Sequence, residues 1–324
     1  MNIKLLKYKA MRRIGIVFLL LVFQQMLNAQ VVMPEMLEVQ KASSVDTTYT
    51  YQWNEDTRNW EIFARNLHLM DESRFVTSIL KQRWVKDQKK WENHEQTLQN
   101  SDDRGNIVQS VLQQWNSAAQ DWLNVQMRTT TYDSRDNEEE VLYQEWHRPT
   151  EEWLNKMVYL ISYTSDYDKR EVIVRTFAGM ENVWNNYLRF SYSYKDNIGL
   201  PQEVMVESWG STRWQLFGRY MLSYNHRGKI TQETRATWSE NQRSFIPGVR
   251  FLMSYQREHV TEDVEQRWDN STRRWVNSVR KVFAYDDLGE LAEEAQYRWN
   301  RVEDEWAIEA RFLFTDVKPE GLGT

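Results

Sequence analysis

The chain has 324 residues, of which 27% are charged and 14% are aromatic, and its mean hydropathy is −0.76. So many aromatic residues exclude a disordered chain, and so polar a composition indicates a thin core under a large surface. The 47 acidic and 41 basic residues give a net charge of −6, which argues against nucleic acid because phosphates require a basic surface.

The first 29 residues have the layout of a secretory signal peptide. Five basic residues (Lys4, Lys7, Lys9, Arg12 and Arg13) precede an apolar run from 14 to 23 and a more polar stretch that ends at Ala29. The run is too short to span a bilayer, so cleavage near Ala29 is expected and no transmembrane segment remains in the mature chain. Removal of these residues leaves 36 basic and 47 acidic residues, a net charge of −11.

Residues 30–42 are interpreted as a leader, and a tandem repeat follows from 43 to 315. All 16 tryptophans fall in aromatic pairs, whose first members lie 29 to 32 residues apart. The pairs are Trp53/Trp60, Trp84/Trp91, Trp115/Trp122, Trp146/Trp153, Phe177/Trp184, Trp209/Trp214, Trp238/Phe245, Trp268/Trp275 and Trp299/Trp306. This spacing predicts about nine units of roughly 31 residues, because a fixed period marks a repeat architecture.

Turn residues divide each unit into two strands. Gly105, Gly199, Gly228 and Gly289 each lie ten residues before the first aromatic residue of a pair. In Tyr-Asp-x-x-Gly, the Asp caps a turn and the Gly accepts a positive φ. Two short connections per unit predict antiparallel hairpins.

Counting every second residue from the tryptophans places side chains on the two faces of the strands. This count puts Glu or Gln on the tryptophan face at mid-strand. It puts on the opposite face the arginines that lie five residues after six of the pairs, namely Arg65, Arg189, Arg219, Arg250, Arg280 and Arg311. It also predicts three cross-strand ion pairs, Glu233 with Arg250, Asp263 with Arg280, and Glu294 with Arg311. Charge on both faces disfavours a transmembrane barrel, which needs one apolar band.

We therefore predict an all-β fold in which tandem antiparallel β-hairpin repeats form one long, twisted and coiled meander sheet, followed by a tail at 316–324. Open sheets of more than about ten strands curl or split. A sandwich or two sub-sheets, divided near 165–215 where the motif degenerates, is the alternative. The exposed terminal strands predict edge-strand self-association.

No catalytic or metal-binding motif is found. The chain has no cysteine, which excludes disulfides and thiol chemistry, and its five histidines share no short motif. The acidic segment 133–140 fits no calcium loop, so solvated turn acids are the preferred interpretation. We expect no enzyme, no metal site and no cofactor.

The aromatic pairs admit two interpretations. Indoles packed from hairpin to hairpin would form a structural ladder, in which each aromatic contact contributes about 0.5–1.5 kcal/mol. Exposed indoles would instead offer a platform for sugars or other extended polymers. For the platform, the candidate ligand-binding residues are Trp53, Trp60, Trp115, Trp122, Trp268, Trp275, Trp299 and Trp306.

The units resemble the tryptophan-rich β-hairpin repeats of exported proteins from Bacteroidota-type bacteria. They are more distantly similar to YD (RHS-type) repeats, which share the cues at Tyr285, Asp286 and Gly289. YD units are shorter and lack the aromatic pair, so the resemblance does not imply a closed RHS shell.

These observations predict a non-enzymatic exported scaffold that binds a protein or polymer along its sheet. The alternative is a carbohydrate-binding module that uses the tryptophan rows. The partner is expected to be a protein or polysaccharide of the cell envelope or medium. The location is expected to be the periplasm, the outer surface or the extracellular space.

Overall fold

The computed structural model describes residues 47–70, 75–179, 181–194 and 199–316. The chain divides into two units, 1–42 and 43–324, and every described residue belongs to the second. The predicted signal peptide at 1–29, the leader at 30–42 and all of the tail after residue 316 lie outside the described residues. The described residues include no helix with the length and apolarity needed to cross a membrane.

Eighteen strands make up the described fold, two from each repeat unit. They are β1 Thr47–Asn54, β2 Asn59–Met70, β3 Val76–Val85, β4 Lys90–Ser101, β5 Ile107–Asn116, β6 Asp121–Tyr132, β7 Glu138–His147, β8 Glu152–Tyr163, β9 Lys169–Ala178, β10 Val183–Ser193, β11 Glu203–Trp209, β12 Trp214–Tyr224, β13 Ile230–Ser239, β14 Ser244–Gln256, β15 His259–Asp269, β16 Arg274–Tyr285, β17 Leu291–Asn300 and β18 Glu305–Thr315. The predicted all-β class and the predicted order of hairpins are confirmed.

The sheet is closed. Each strand pairs antiparallel with the next, and β1 pairs with both β2 and β18, so the eighteen strands form one barrel. The expectation of an open, coiled meander was therefore wrong. Closure pairs the two strand edges that an open sheet would expose to other chains.

A constant displacement between hairpins explains the closure. Within its hairpin, Val279 of β16 pairs with Glu265, three residues before Trp268, but in the next hairpin it pairs with Arg298, one residue before Trp299. All eight junctions between consecutive hairpins show this displacement of two residues.

The junction that closes the barrel has a larger displacement. There Phe312, the sixth residue after Trp306, faces Gln52, so the displacement is four residues. Eight steps of two and one of four amount to a displacement of twenty residues around eighteen strands. A displacement near the strand number corresponds to strands tilted by roughly 35–45°, the usual geometry of a closed barrel.

Every hairpin contains a β-bulge at the third residue after the second aromatic residue of its pair. The unpaired residues are Phe63, His94, Val125, Lys156, Tyr187, Phe217, Gly248, Ser278 and Glu309. One extra residue reverses the inward and outward alternation of everything beyond it. Residues five positions after the pair therefore lie on the same face as the pair, which we call the aromatic-pair face.

The bulge overturns the predicted placement of the arginines and the predicted ion pairs. Glu233 faces Phe251, Asp263 faces Lys281, and Glu294 faces Phe312. Two of these arginines bond instead to glutamates on the aromatic-pair face: Arg280 Nε lies 2.6 Å from Glu262 and Arg311 Nη2 lies 2.6 Å from Glu293. Arg250 Nε donates to the side chain of Gln266. Counting by twos failed because it ignored the bulge.

The turn inside each hairpin consists of four residues. After Trp53, the side chain of Asn54 accepts hydrogen bonds from the backbone N–H groups of residues 56 and 57, and Arg58 has a φ of 47°. Asn116, Asp269 and Asn300 cap their turns in the same way. These four-residue turns bring the two aromatic residues of each pair opposite each other.

Tyrosine hydroxyl groups join the two strands of a hairpin at the other end of the barrel. Each donates to a backbone carbonyl at or within two residues of the start of the first strand of its own hairpin, over 2.7–2.9 Å. The donors are Tyr132, Tyr163, Tyr194, Tyr224, Tyr255 and Tyr285. The tyrosine of the Tyr-Asp-x-x-Gly motif therefore holds together the two strands of its own hairpin, at the point where the turn leads to the next hairpin.

The side chains with least exposure lie on the face opposite the aromatic pairs. Val141, Val174, Val204 and Val206 are each no more than 2% exposed, and we call this side the valine face. It also carries buried charge, since Arg235 Nε lies 2.6 Å from Glu233 and both side chains are under 10% exposed. The core is therefore one layer of side chains on a sheet face, as the low hydropathy predicted.

Deleting one bulge residue should destabilise the fold far more than changing its side chain does. Deletion of Ser278 would turn Arg280 and the rest of β16 to the wrong faces, so we expect loss of cooperative folding. Ser278→Ala keeps the residue count and should change the free energy of unfolding by less than about 0.5 kcal/mol. Urea unfolding of both variants measures the difference; equal stability would contradict the role given to the bulge.

Stability should fall at alkaline pH. Burial raises the pKa of Tyr255, which bonds to Ile230 O, to about 12, and also raises the pKa of Tyr220 to about 12. In the unfolded chain tyrosine ionises near pH 10. The raised pKa contributes stability that is complete below pH 10 and is lost as pH rises towards 12.

The urea midpoint measured from pH 8 to 12 checks this expectation. Tyr255→Phe should cost about 1 kcal/mol at pH 8 through the lost hydrogen bond, and should weaken the alkaline decline. A midpoint that stays constant to pH 12 in the original protein would contradict it.

Candidate functional site

The nine aromatic pairs form a row near one end of the barrel, on one face. In each pair the ring centroids lie 4.9–5.4 Å apart. Eight pairs have interplanar angles of 64–73°, those of edge-to-face packing, and Phe177/Trp184 is tilted at 58°. The tightly turned hairpin positions both rings, because the two residues are direct cross-strand partners. All 16 tryptophans are partly exposed.

Arginines bridge many of the gaps between neighbouring pairs. The guanidinium carbon of Arg250 lies 4.7 Å from the ring centroid of Trp275, in the next hairpin. The same contact, at 4.6–5.3 Å, joins Arg65 to Trp91, Arg189 to Trp214, Arg219 to Phe245 and Arg311 to Trp60. A cation over an aromatic face is attracted by the ring quadrupole. We call these arginines the cap row.

The cap row also spans the closing junction. Arg311 of β18 lies 5.5 Å from the ring centroid of Trp53 and 5.3 Å from that of Trp60. The last hairpin therefore contacts the first through the interaction that joins the other hairpins. Burial lowers the pKa of Arg250, and the contact with Trp275 partly replaces its lost water.

The eight candidate tryptophans are thus divided by the structure. Trp53, Trp60 and Trp275 lie under a cap-row arginine. In the described part of the chain, Trp115, Trp122, Trp268, Trp299 and Trp306 contact only their own hairpin partner among rings and cations. The structure brings the eight candidates into one row.

Side-chain amides line the same face beside several pairs. Gln Nε2 donates to Asn Oδ1 in Gln82–Asn93, Gln113–Asn124, Gln144–Asn155 and Gln266–Asn277, over 2.7–3.0 Å. Arg175 Nε donates to Asn186 in the same position of its hairpin. These side chains precede the bulge, so they lie on the face that the alternation of the strand predicts. They were not among the predicted site residues.

No group of three or more metal-ligating side chains occurs in the described ranges. His94 lies at a bulge, where burial followed by the nearby Arg83 lowers its pKa. His147 contacts the hydroxyl of Thr150 at 2.8 Å within its turn. These histidines are on different hairpins, so the structure does not bring them together.

No family model matches the sequence, and no curated protein matches it. Among solved structures, a porin-like protein from Bacteroides uniformis is similar at 8% identity, covering 83% of this chain and 96% of that one, with a TM-score of 0.37. A porin-like protein from Bacteroides vulgatus is similar at 9% identity, covering 75% and 98%, with a TM-score of 0.37.

A DUF3836 family protein from Parabacteroides distasonis is similar at 20% identity, covering 30% of this chain and 88% of that one, with a TM-score of 0.25.

The contact between Arg250 and Trp275 should contribute measurably to stability. A double-mutant cycle with Arg250→Ala and Trp275→Leu should show a coupling of about 0.5–1 kcal/mol, the usual size of a partly exposed cation–π contact. Arg273 in the exposed turn is the control and should show no coupling with Trp275. A coupling for Arg250 as small as the control would contradict the cap-row assignment.

Proposed function

We propose that this protein is a non-enzymatic, exported β-barrel scaffold that binds a polymer or protein along its aromatic-pair face. The main observation that supports this proposal is that all 16 tryptophans, each partly exposed, lie in one ordered row with amide side chains beside it. Indole combines a large apolar surface with a polar N–H group and loses little conformational entropy on binding, so it is frequent at binding surfaces.

The distribution of charge supports a surface in contact with water. Arg189, Arg280 and Arg311 lie at mid-strand on the aromatic-pair face, and the Glu233–Arg235 ion pair lies on the valine face. A lipid-facing surface would have to bury one of these sets, at a cost of about 2–4 kcal/mol for each Arg at the bilayer midplane. We propose the periplasm, the outer surface or the extracellular space as its location.

The carbohydrate-binding alternative is supported by the indoles without a cap and is opposed by the cap row elsewhere. A flat sugar ring needs an open indole face, and the arginine contacts at Trp60 and Trp275 occupy those positions. A uniform platform made of all eight candidate tryptophans is therefore not supported. Where caps are missing, the same row can accept a ligand.

The position of the tryptophans allows a direct test of the binding face. Purified protein would be titrated by calorimetry with a panel of soluble polysaccharides and soluble proteins. Acrylamide quenching of tryptophan fluorescence would then be measured with and without each binder. Because every tryptophan is on one face, a partner bound there should reduce quenching.

Two outcomes would contradict the proposal. A tight binder that leaves acrylamide quenching unchanged would place binding away from the aromatic-pair face. Hydrolysis of a bound polymer that is abolished by one point substitution would show that the protein is an enzyme.

A further inference from the structure

The cap row is interrupted in three consecutive units. At the position five residues after the pair, where other hairpins have arginine, β4, β6 and β8 have Gln96, Met127 and Val158. Each of these would lie towards the second aromatic residue of the next hairpin. Trp122, Trp153 and Trp184 accordingly have no arginine over their rings in the described part of the chain.

The hairpins of these three uncapped tryptophans carry an asparagine two residues after the second aromatic residue. Asn124, Asn155 and Asn186 each accept one side-chain hydrogen bond through Oδ1. Their Nδ2 amino groups make no hydrogen bond to other described residues. Each amino group is therefore available to a ligand hydroxyl beside an open indole.

No other hairpin combines the two features in the described fold. Trp91 and Trp275 have the asparagine but are capped by Arg65 and Arg250. Trp306 has no cap, but the corresponding residue is Ile308 rather than asparagine. The combination therefore defines one continuous strip over β5–β10.

We infer that this strip is the binding site for a neutral polysaccharide, and the inference rests on the proposed function. Successive indoles in the strip are two strands apart, about 10 Å, so a chain of sugar rings can stack on them in turn. The apolar C–H face of each sugar packs on an indole, and its hydroxyl groups accept from the asparagine amides.

The charges around the strip favour a neutral ligand over an anionic one. Arg175, at the margin of the strip, already donates to Asn186. The acids Asp121 and Glu152 directly precede Trp122 and Trp153, and Glu140 is exposed on β7. An acidic polymer would be repelled by these carboxylates, whereas a neutral one loses nothing by their presence.

The chain provides a matched control for the test. Trp153 and Trp275 both belong to edge-to-face tryptophan pairs, with centroids at 5.0 and 5.2 Å, and each has a Gln–Asn bond beside it. The difference is the cap, because Met127 stands where Arg250 stands. Met127→Arg would therefore cap Trp153 without removing an indole.

Binding of a soluble β-glucan, a xylan, a galactomannan and an α-glucan would be measured by calorimetry, with polygalacturonate as the acidic comparison. For the neutral polymer that binds, Trp153→Ala and Met127→Arg should each weaken binding at least about tenfold. Trp275→Ala should change it by less than about twofold. Circular dichroism confirms folding, and Met127→Arg keeps the test valid if Trp153→Ala does not fold.

The possible outcomes distinguish failure of the strip assignment from failure of the proposed function. Equal losses of polysaccharide affinity in Trp153→Ala and Trp275→Ala, or preferred binding of polygalacturonate, would contradict the assignment of the site to the strip. Either result would leave the proposal of binding on the aromatic-pair face intact. Binding of no polysaccharide together with a protein that reduces acrylamide quenching would also overturn the strip and would support a protein partner. A polysaccharide bound without any change in quenching would contradict both proposals.

Discussion

The extra residue at the same place in all nine hairpins decides which side chains share a face. Before the bulge, the aromatic pair and the Gln–Asn amides lie together; beyond it, the alternation is reversed, so the arginines rejoin the pair. Without this reversal, Arg250 would point to the valine face and Trp275 would lose its cap. The bulge also strengthens local twist, which the curved sheet needs.

Closure of the barrel follows from small, repeated geometry rather than from a special closing element. Each hairpin is displaced by two residues relative to the one before, and the closing junction absorbs the remaining four. Arg311 on Trp53 and Trp60 then repeats at that junction the contact found between other hairpins. A protein with a thin core and no cysteine gains stability by leaving neither terminal strand without a neighbour.

The sequence was sufficient to predict the strands, the hairpin order and the cross-strand aromatic pairs, because tryptophan spacing and the Tyr-Asp-x-x-Gly turns repeat visibly. It did not predict the bulge, since an extra residue such as Ser278 or Lys156 has no fixed residue type. The arginines were therefore assigned to the wrong face, and the caps were missed. Closure was missed as well, because displacement between hairpins is set by backbone register, which side-chain periodicity within one unit does not reveal.

The most direct test of the closed barrel is a disulfide across the junction of β1 and β18, in a chain that has no cysteine of its own. Thr50 faces Phe314 and Tyr51 faces Leu313, and one of two adjacent antiparallel pairs is always of the close, non-hydrogen-bonded type. Cysteines would be introduced at each pair in turn and oxidised, with Leu112→Cys/Gln126→Cys inside one hairpin as the positive control. The closed barrel predicts an intramolecular crosslink for at least one junction pair. A crosslink in the control hairpin but in neither junction pair would show that the sheet is open.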